Sequence, residues 1–215
     1  MAKAPKNSNH QKKILVVLFI EGDTEVEFYK KLIDHLRYLH GGSLSCEVKV
    51  LNVKGVGKFQ SKVNRIFEKR IKPKYDAKVY EYLVFLSYDT DVFEFTRKPL
   101  VDWKSVNCQL LSLGAHEVYE IEAKSSIEDW FLFDPDGIRS FLKISQSVDI
   151  SRYHGLDGLQ KLFFKANKAY VKGAYSKGLV DSLHMDVIFP KICSQIHTLC
   201  KACGIKCNRE LCQGK

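Results

Sequence analysis

Acidic side chains recur directly after segments that predict buried β-strands. Glu21 follows the first such segment immediately, Asp89 with Asp91 follows the third, and Glu128 lies seven residues past the fourth. Asp89 and Asp91 are two residues apart, so in an extended chain their side chains project to the same side. Functional groups of parallel sheets gather at the carboxyl ends of the strands, which lie along one edge. We therefore expect four carboxylates to converge there, where they repel one another unless a cation neutralises them.

A hard divalent cation is the partner that such a cluster favours. Mg²⁺ prefers carboxylate oxygens, keeps several waters and often shares its coordination shell with phosphate. The alternative is that Asp and Glu are simply common in loops after strands, and for any one residue this is the commoner explanation. For the whole set at matched strand ends, the spacing favours a divalent-cation site.

The elements that must position these acids alternate between apolar runs and amphipathic segments. This pattern predicts an α/β fold with a four-stranded parallel sheet flanked by helices. Thr24-x-x-Glu27 is a capping box that predicts a helix directly after the first strand. From about residue 140 onward the pattern is helical only, with helices expected at 156–170 and 180–203. The strands are expected at 14–20, 46–53, 79–88 and 117–121.

Three short motifs stand in order at the ends of the first, third and fourth strands. They are Ile20-Glu21-Gly22-Asp23-Thr24-Glu25, Asp89-Thr90-Asp91 and Ser126-Ile127-Glu128-Asp129-Trp130-Phe131. Their order and placement resemble the Toprim domains of topoisomerases, primases and the OLD-type and RloB-like nucleases. Toprim domains have a Glu-Gly turn after the first strand and an Asp-x-Asp after the third. OLD-type nucleases add a second Glu, a Ser-x-Glu and a downstream Lys.

The resemblance implies a metal-dependent nuclease that hydrolyses phosphodiester bonds in DNA or RNA with Mg²⁺ or Mn²⁺, as two ions. Glu21 could be a ligand or the general base, and Ser126 would hydrogen-bond phosphate or a metal-bound water. Lys172 would offset phosphate charge, although Lys124 and Lys168 compete for this role. Tyr170-Val171-Lys172 is similar to a Tyr-x-Lys of the RloB-like group. The metal ligands that the resemblance implies are Glu21, Glu25, Asp89, Asp91 and Glu128.

The resemblance also implies a domain organisation and partners. We expect a disordered basic tail at 1–13, a Toprim catalytic domain at 14–134 and a helical C-terminal extension packed on it at 135–215. The sequence has no phosphate-binding Gly-x-x-x-x-Gly-Lys-Ser/Thr motif, and the loop 54–58 predicts a plain strand-to-helix turn. A separate ATPase of the OLD or ABC type is the expected partner, in bacterial antiphage defence. The oligomeric state stays open.

The charge balance favours a polyanionic partner. The chain has 215 residues, 34 of them basic and 25 acidic, for a net charge of +9. Such an excess is most often associated with nucleic acid. Two other functions stay open: a non-catalytic Toprim module that binds nucleic acid or a partner ATPase, and phosphoryl transfer on a small nucleotide.

The remaining sequence features concern location, thiols and aromatic residues. The longest apolar run has seven residues, against about 20 for a spanning helix, and no signal peptide is recognised, so we expect a cytoplasmic protein without membrane contact. Phe163 and Phe164 are expected to cover the sheet, with base stacking as the less common alternative. The C-terminal thiols could hold zinc, although reduced thiols are the default. These thiols are Cys200, Cys203, Cys207 and Cys212.

Overall fold

The sheet is parallel throughout and has the strand order β2-β1-β3-β4. The computed structural model describes residues 12–90, 101–123, 126–172 and 177–206. The predicted α/β class, with a four-stranded parallel sheet flanked by helices and followed by C-terminal helices, is confirmed. The strands are β1 Lys13–Ile20, β2 Cys46–Asn52, β3 Tyr80–Asp89 and β4 Glu117–Ala123.

The two central strands are buried on both faces, which explains their continuous apolar sequences. Side chains at 16, 18 and 20 of β1 enter the core layer that contains α1 (Asp23–Leu39) and the C-terminal helices. Those at 15, 17 and 19 enter the opposite layer, which contains α2 (Phe59–Ile66) and α3 (Trp103–Ser112). Alternate residues of a strand point to opposite faces, so such a strand needs apolar side chains at every position.

Helices cover both faces of the sheet. Two non-α helical segments flank α2. A 3₁₀ turn at Val56–Lys58 precedes it, and a π-helical segment at Phe67–Ile71 follows it. Within the described ranges the helices are α1 Asp23–Leu39, α2 Phe59–Ile66, α3 Trp103–Ser112, α4 Ile127–Leu132, α5 Pro135–Leu142, α6 Gly155–Lys165, α7 Lys177–Ser182, α8 Met185–Ile192 and α9 His197–Ala202.

The strand order creates a topological switch point between β1 and β3. The connection from β1 to β2 places α1 on one face, whereas those from β2 to β3 and from β3 to β4 place α2 and α3 on the other. Helices on opposite faces diverge at such a point and leave a crevice outside the carboxyl ends of the strands. Glu21 follows β1 directly and Asp89 ends β3, so they flank this crevice.

The C-terminal helices are shorter than the sequence pattern predicts. The helix expected at 156–170 ends at Lys165, because Asn167 adopts a left-handed conformation with φ of 54° and turns the chain. The helix expected at 180–203 is three helices. Its first break lies at His184, whose backbone N–H donates to the buried carboxylate of Asp134 (2.6 Å). Because α6 ends at Lys165, the residues that follow it run back toward the sheet.

An aromatic layer joins α1 to α4 behind the crevice. The Phe28 ring lies 5.7 Å from that of Trp130 and 5.4 Å from that of Phe131, measured between centroids. The Tyr29 ring lies 6.4 Å from Trp130, and its hydroxyl forms a hydrogen bond of 2.7 Å with Ser87 Oγ on β3. The start of α4 is therefore fixed relative to β1 and β3 by large buried rings.

No helix of the described residues is long and apolar enough to cross a membrane.

We expect Phe28→Ala to lower the free energy of unfolding by about 3–5 kcal/mol, because it removes the ring at the centre of this layer and leaves a cavity. Tyr38→Ala is the matched control, since this aromatic residue of the same helix is 80% exposed. The control should change the free energy by less than about 0.5 kcal/mol. Urea unfolding followed by circular dichroism measures both. Equal losses in the two variants would contradict the packing described here.

Candidate functional site

The turn after β1 brings two glutamates to the crevice. Glu21 is half-buried directly after the strand, and Gly22 is the N-cap of α1. Glu25, in the first turn of the helix, is 5% exposed. A Cβ atom at Gly22 would lie 2.6 Å from Glu25 Oε2, closer than non-bonded atoms approach. Glycine is therefore required so that the Glu25 carboxylate can lie over the turn.

Asp89 connects three parts of the chain at the end of β3. It is 2% exposed. Its Oδ1 accepts a hydrogen bond of 2.8 Å from the backbone N–H of Ile127, the first residue of α4. Its Oδ2 lies 2.7 Å from Nζ of Lys172. The carboxylate thus links the central strand, the beginning of α4 and the segment that returns after α6.

Glu128 is held from the same returning segment. This residue is 1% exposed in the first turn of α4, and its Oε1 accepts a hydrogen bond of 2.9 Å from the Tyr170 hydroxyl. Tyr170 also contacts Thr24 at the start of α1. Tyr170 and Lys172 therefore deliver one hydrogen-bond donor and one cation to two different acids of the cluster.

Burial and neighbouring negative charge act together on these acids. Burial, together with the charges of Asp89, Glu128 and Glu21, raises the pKa of Glu25 to about 8, while a backbone hydrogen bond opposes the shift. Burial also raises the pKa of Asp89 to about 7, although Lys172 opposes the rise. Burial and the charge of Glu128 raise the pKa of Tyr170, which keeps it a hydrogen-bond donor. Lys172 thus supplies one positive charge against four mutually repelling carboxylates.

The donor atoms of the cluster suit a hard cation. Among the described residues, Glu25 Oε2, Glu128 Oε2 and Ser126 Oγ are buried and accept or donate no hydrogen bond. Carboxylate and hydroxyl oxygens are the ligands that Mg²⁺ and Mn²⁺ prefer. No three His, Cys, Asp or Glu side chains of those same residues stand in the arrangement of a formed metal site. The suitability of this cluster for a divalent cation therefore rests on the chemistry of its oxygen donors.

An open cleft of about 340 Å³ lies beside the cluster, lined by residues that follow β1 and β2 and by Lys172. Lys54 is one of the residues that line this cleft. Its backbone has a φ of 67°, and the backbone N–H of the following residue, Gly55, donates to the Glu21 carbonyl (2.8 Å). The Lys54 ammonium lies 2.9 Å from a carboxylate oxygen of Asp23, which also accepts from Asn52 (2.7 Å). The cleft therefore has a basic residue at its exposed side and acids at its base.

Most of the predicted site residues come together. The structure places Glu21, Glu25, Asp89 and Glu128 around one site and pairs Lys172 with Asp89, and Ser126 is the N-cap residue of α4 beside them. Of the competing lysines, Lys168 instead donates to the Phe141 carbonyl (3.0 Å). Asp91 and Lys124 lie outside the described residues.

Sequence reasoning missed the roles of Tyr170, Asn52 and Lys54. Asn52 ends β2 and Lys54 follows it at the same sheet edge as the acids, so strand-end placement alone could have identified them. Tyr170 stands in a recognised motif, but its bond to Glu128 depends on the turn at Asn167, which has no clear signal in the sequence.

The C-terminal thiols lie in a different part of the fold. Cys200 and Cys203 are fully buried, and the other two cysteines of the sequence cluster fall outside the described ranges. Cys203 forms a hydrogen bond with Cys46 at the start of β2, which lowers the pKa of Cys46 and raises that of Cys203. These contacts attach the C-terminal helices to the edge of the sheet.

No protein-family model matches the chain, and neither a curated protein nor a solved structure matches it.

The cluster predicts a pH dependence of stability in the absence of metal. The pKa of Glu25 is about 8 in the folded protein, against an ordinary value of 4.5. As pH rises between these values, the unfolded chain releases this proton before the folded protein does. Stability therefore falls, and Glu25→Gln should remove much of that loss. We expect the variant to exceed the parent in free energy of unfolding by about 1–3 kcal/mol at pH 8, with the difference shrinking toward pH 5.

Urea titrations in EDTA across this pH range measure the effect. Glu27→Gln is the matched control, because Glu27 lies on the same helix and pairs with Lys30 at the surface. Its free energy of unfolding should differ from that of the parent by less than about 0.5 kcal/mol. A Glu25→Gln variant that is less stable than the parent at pH 8 would contradict the uncompensated charge described for this site.

Proposed function

We propose that this protein is a metal-dependent nuclease that hydrolyses phosphodiester bonds in DNA or RNA. The observation that carries the proposal is the convergence of four carboxylates, three of them almost fully buried, beside one lysine at the switch point of a parallel sheet. The mutual repulsion of these groups makes the site unfavourable by itself and favourable for a divalent cation.

The residues that would hold the metal are Glu25, Asp89 and Glu128, with Glu21 as a further ligand or as the general base. When bound, one or two Mg²⁺ or Mn²⁺ ions activate water and neutralise the charge that develops on a reacting phosphate. The Tyr170 hydroxyl bonds to Oε1 of Glu128, so it orients this carboxylate while Oε2 accepts no hydrogen bond from the described residues. Tyr170 is therefore a positioning residue.

Two lysines supply positive charge where a phosphate would enter. Lys172 lies against Asp89 and lines the cleft, so its ammonium can offset charge on the phosphate. Lys54 lines the same cleft with its side chain 62% exposed. A net charge of +9 for the whole chain favours a polymer substrate over a small nucleotide. Both features support nucleic acid as the substrate.

The resemblance to OLD-type and RloB-like Toprim nucleases supports the same activity. It favours an antiphage-defence effector that works with a separate ATPase of the OLD or ABC type. The motif order on which it depends, from Glu21 to Glu128, corresponds to residues that share one site in this structure. The parallel sheet with helices on both faces is consistent with a Toprim-like fold.

We expect Asp89→Asn to reduce cleavage about 100-fold or more, because it removes a carboxylate from the cluster while keeping the shape of the side chain. Asp34→Asn is the matched control, since Asp34 lies on α1 at the surface and pairs with Arg37. The assay incubates supercoiled plasmid and total RNA with each purified protein in Mg²⁺, Mn²⁺ or EDTA.

The two substrates separate the outcomes. Metal-dependent cutting by the parent and the control, lost in Asp89→Asn, is the expected result, and the substrate consumed identifies DNA or RNA. Equal cutting by Asp89→Asn would contradict the site. No cutting by the parent, combined with salt-sensitive binding of nucleic acid, would favour the non-catalytic module.

A further inference from the structure

Two adjacent phenylalanines at the end of α6 have opposite environments. Phe163 is 6% exposed and packs on Tyr170 at 5.1 Å between ring centroids. Phe164 is 81% exposed, which contradicts the expectation that both residues cover the sheet. Val171, on the segment that turns back along the helix, is 63% exposed. An aromatic ring of α6 and an apolar side chain of the returning segment are therefore both presented to solvent.

The chain around Phe164 is mainly basic, with one acid on α6, Asp157, which pairs with Lys161. Residues 158–172 contain no Asp or Glu and four lysines. Lys161 and Lys165 lie on α6, one turn apart, and are exposed. Lys168 is exposed as well, with its stem beside Phe141. Lys172 continues this basic segment to the carboxylate cluster. This charge complements a polyanion and disfavours an acidic or neutral protein surface as the partner.

A short series of contacts connects Phe164 to the cluster. Phe164 follows Gln160 by four residues, so the two share one face of α6 about one turn apart. Gln160 Nε2 donates to the Tyr170 carbonyl (3.4 Å), and the Tyr170 hydroxyl donates to Glu128 (2.9 Å). Two residue-to-residue contacts thus separate this helix face from the acids. The helix that carries the exposed ring is therefore in contact with the segment that reaches the acids.

We propose that Phe164 is a stacking platform for an unpaired base, and that the substrate is single-stranded or contains a single-stranded segment. This inference rests on the proposed function and adds its substrate class. A base inside a duplex already stacks on both faces, whereas an unpaired base has a free face for the ring. Aromatic rings flanked by lysines bind single strands in this way, with little dependence on sequence.

The test measures binding without cleavage, so that it does not depend on the nuclease assay. Fluorescence anisotropy of labelled oligothymidylate, oligouridylate and a short hairpin duplex is recorded in EDTA at low ionic strength. Phe164→Ala and Phe164→Leu should weaken single-strand binding about tenfold, whereas Phe164→Trp should retain it. Hairpin binding should change less than twofold. Tyr38→Ala is the matched control, since Tyr38 is 80% exposed at the far end of α1.

The leucine variant separates stacking from general apolar contact. Single-strand binding by Phe164→Leu equal to that of the parent would overturn the proposal and favour a protein that covers this surface. Equal weakening of single-strand and hairpin binding would also overturn it, as would a parent that binds no single strand. If single-strand binding requires the Phe164 ring but neither the parent nor any variant cuts nucleic acid, the stacking proposal is supported and the nuclease proposal is contradicted.

Discussion

Four carboxylates share a mostly buried edge of the sheet, and their mutual repulsion is the constraint on which the rest of the structure depends. Glu25, Asp89 and Glu128 are each at most 5% exposed, and Lys172 pairs with one of them. Burial and neighbouring negative charge both raise the pKa of Glu25. A fold needs a specific reason to keep such groups together, and the cation binding proposed for this site would supply one.

The surrounding elements hold this cluster against its own repulsion. The parallel register places Glu21 and Asp89 at the ends of neighbouring central strands, and the aromatic layer fixes the start of α4 behind them. The returning segment then supplies Tyr170 to one acid and Lys172 to another. The C-terminal region thus completes the site, because two of the residues that contact the acids come from beyond α6.

Features set by short-range pattern could be predicted from the sequence, whereas features set by tertiary contacts could not. Continuous apolar runs identified β1 and β3, and strand-end placement identified Glu21 and Asp89. The left-handed turn at Asn167 and the break before His184 are fixed by packing and by the bond to Asp134, and they shorten two predicted helices. Phe164 lies inside α6 on the same exposed face as Gln160, so only Phe163 of the two adjacent rings enters the core.

The proposed metal site is tested most directly by soaking crystals of the intact protein with Mn²⁺ and locating the ion by its anomalous scattering. We expect a peak within ligand distance of carboxylate oxygens of Glu25, Asp89 or Glu128. Crystals with no anomalous peak among these carboxylates at saturating Mn²⁺, or with a peak only at other groups, would contradict the assignment of this cluster as a metal centre.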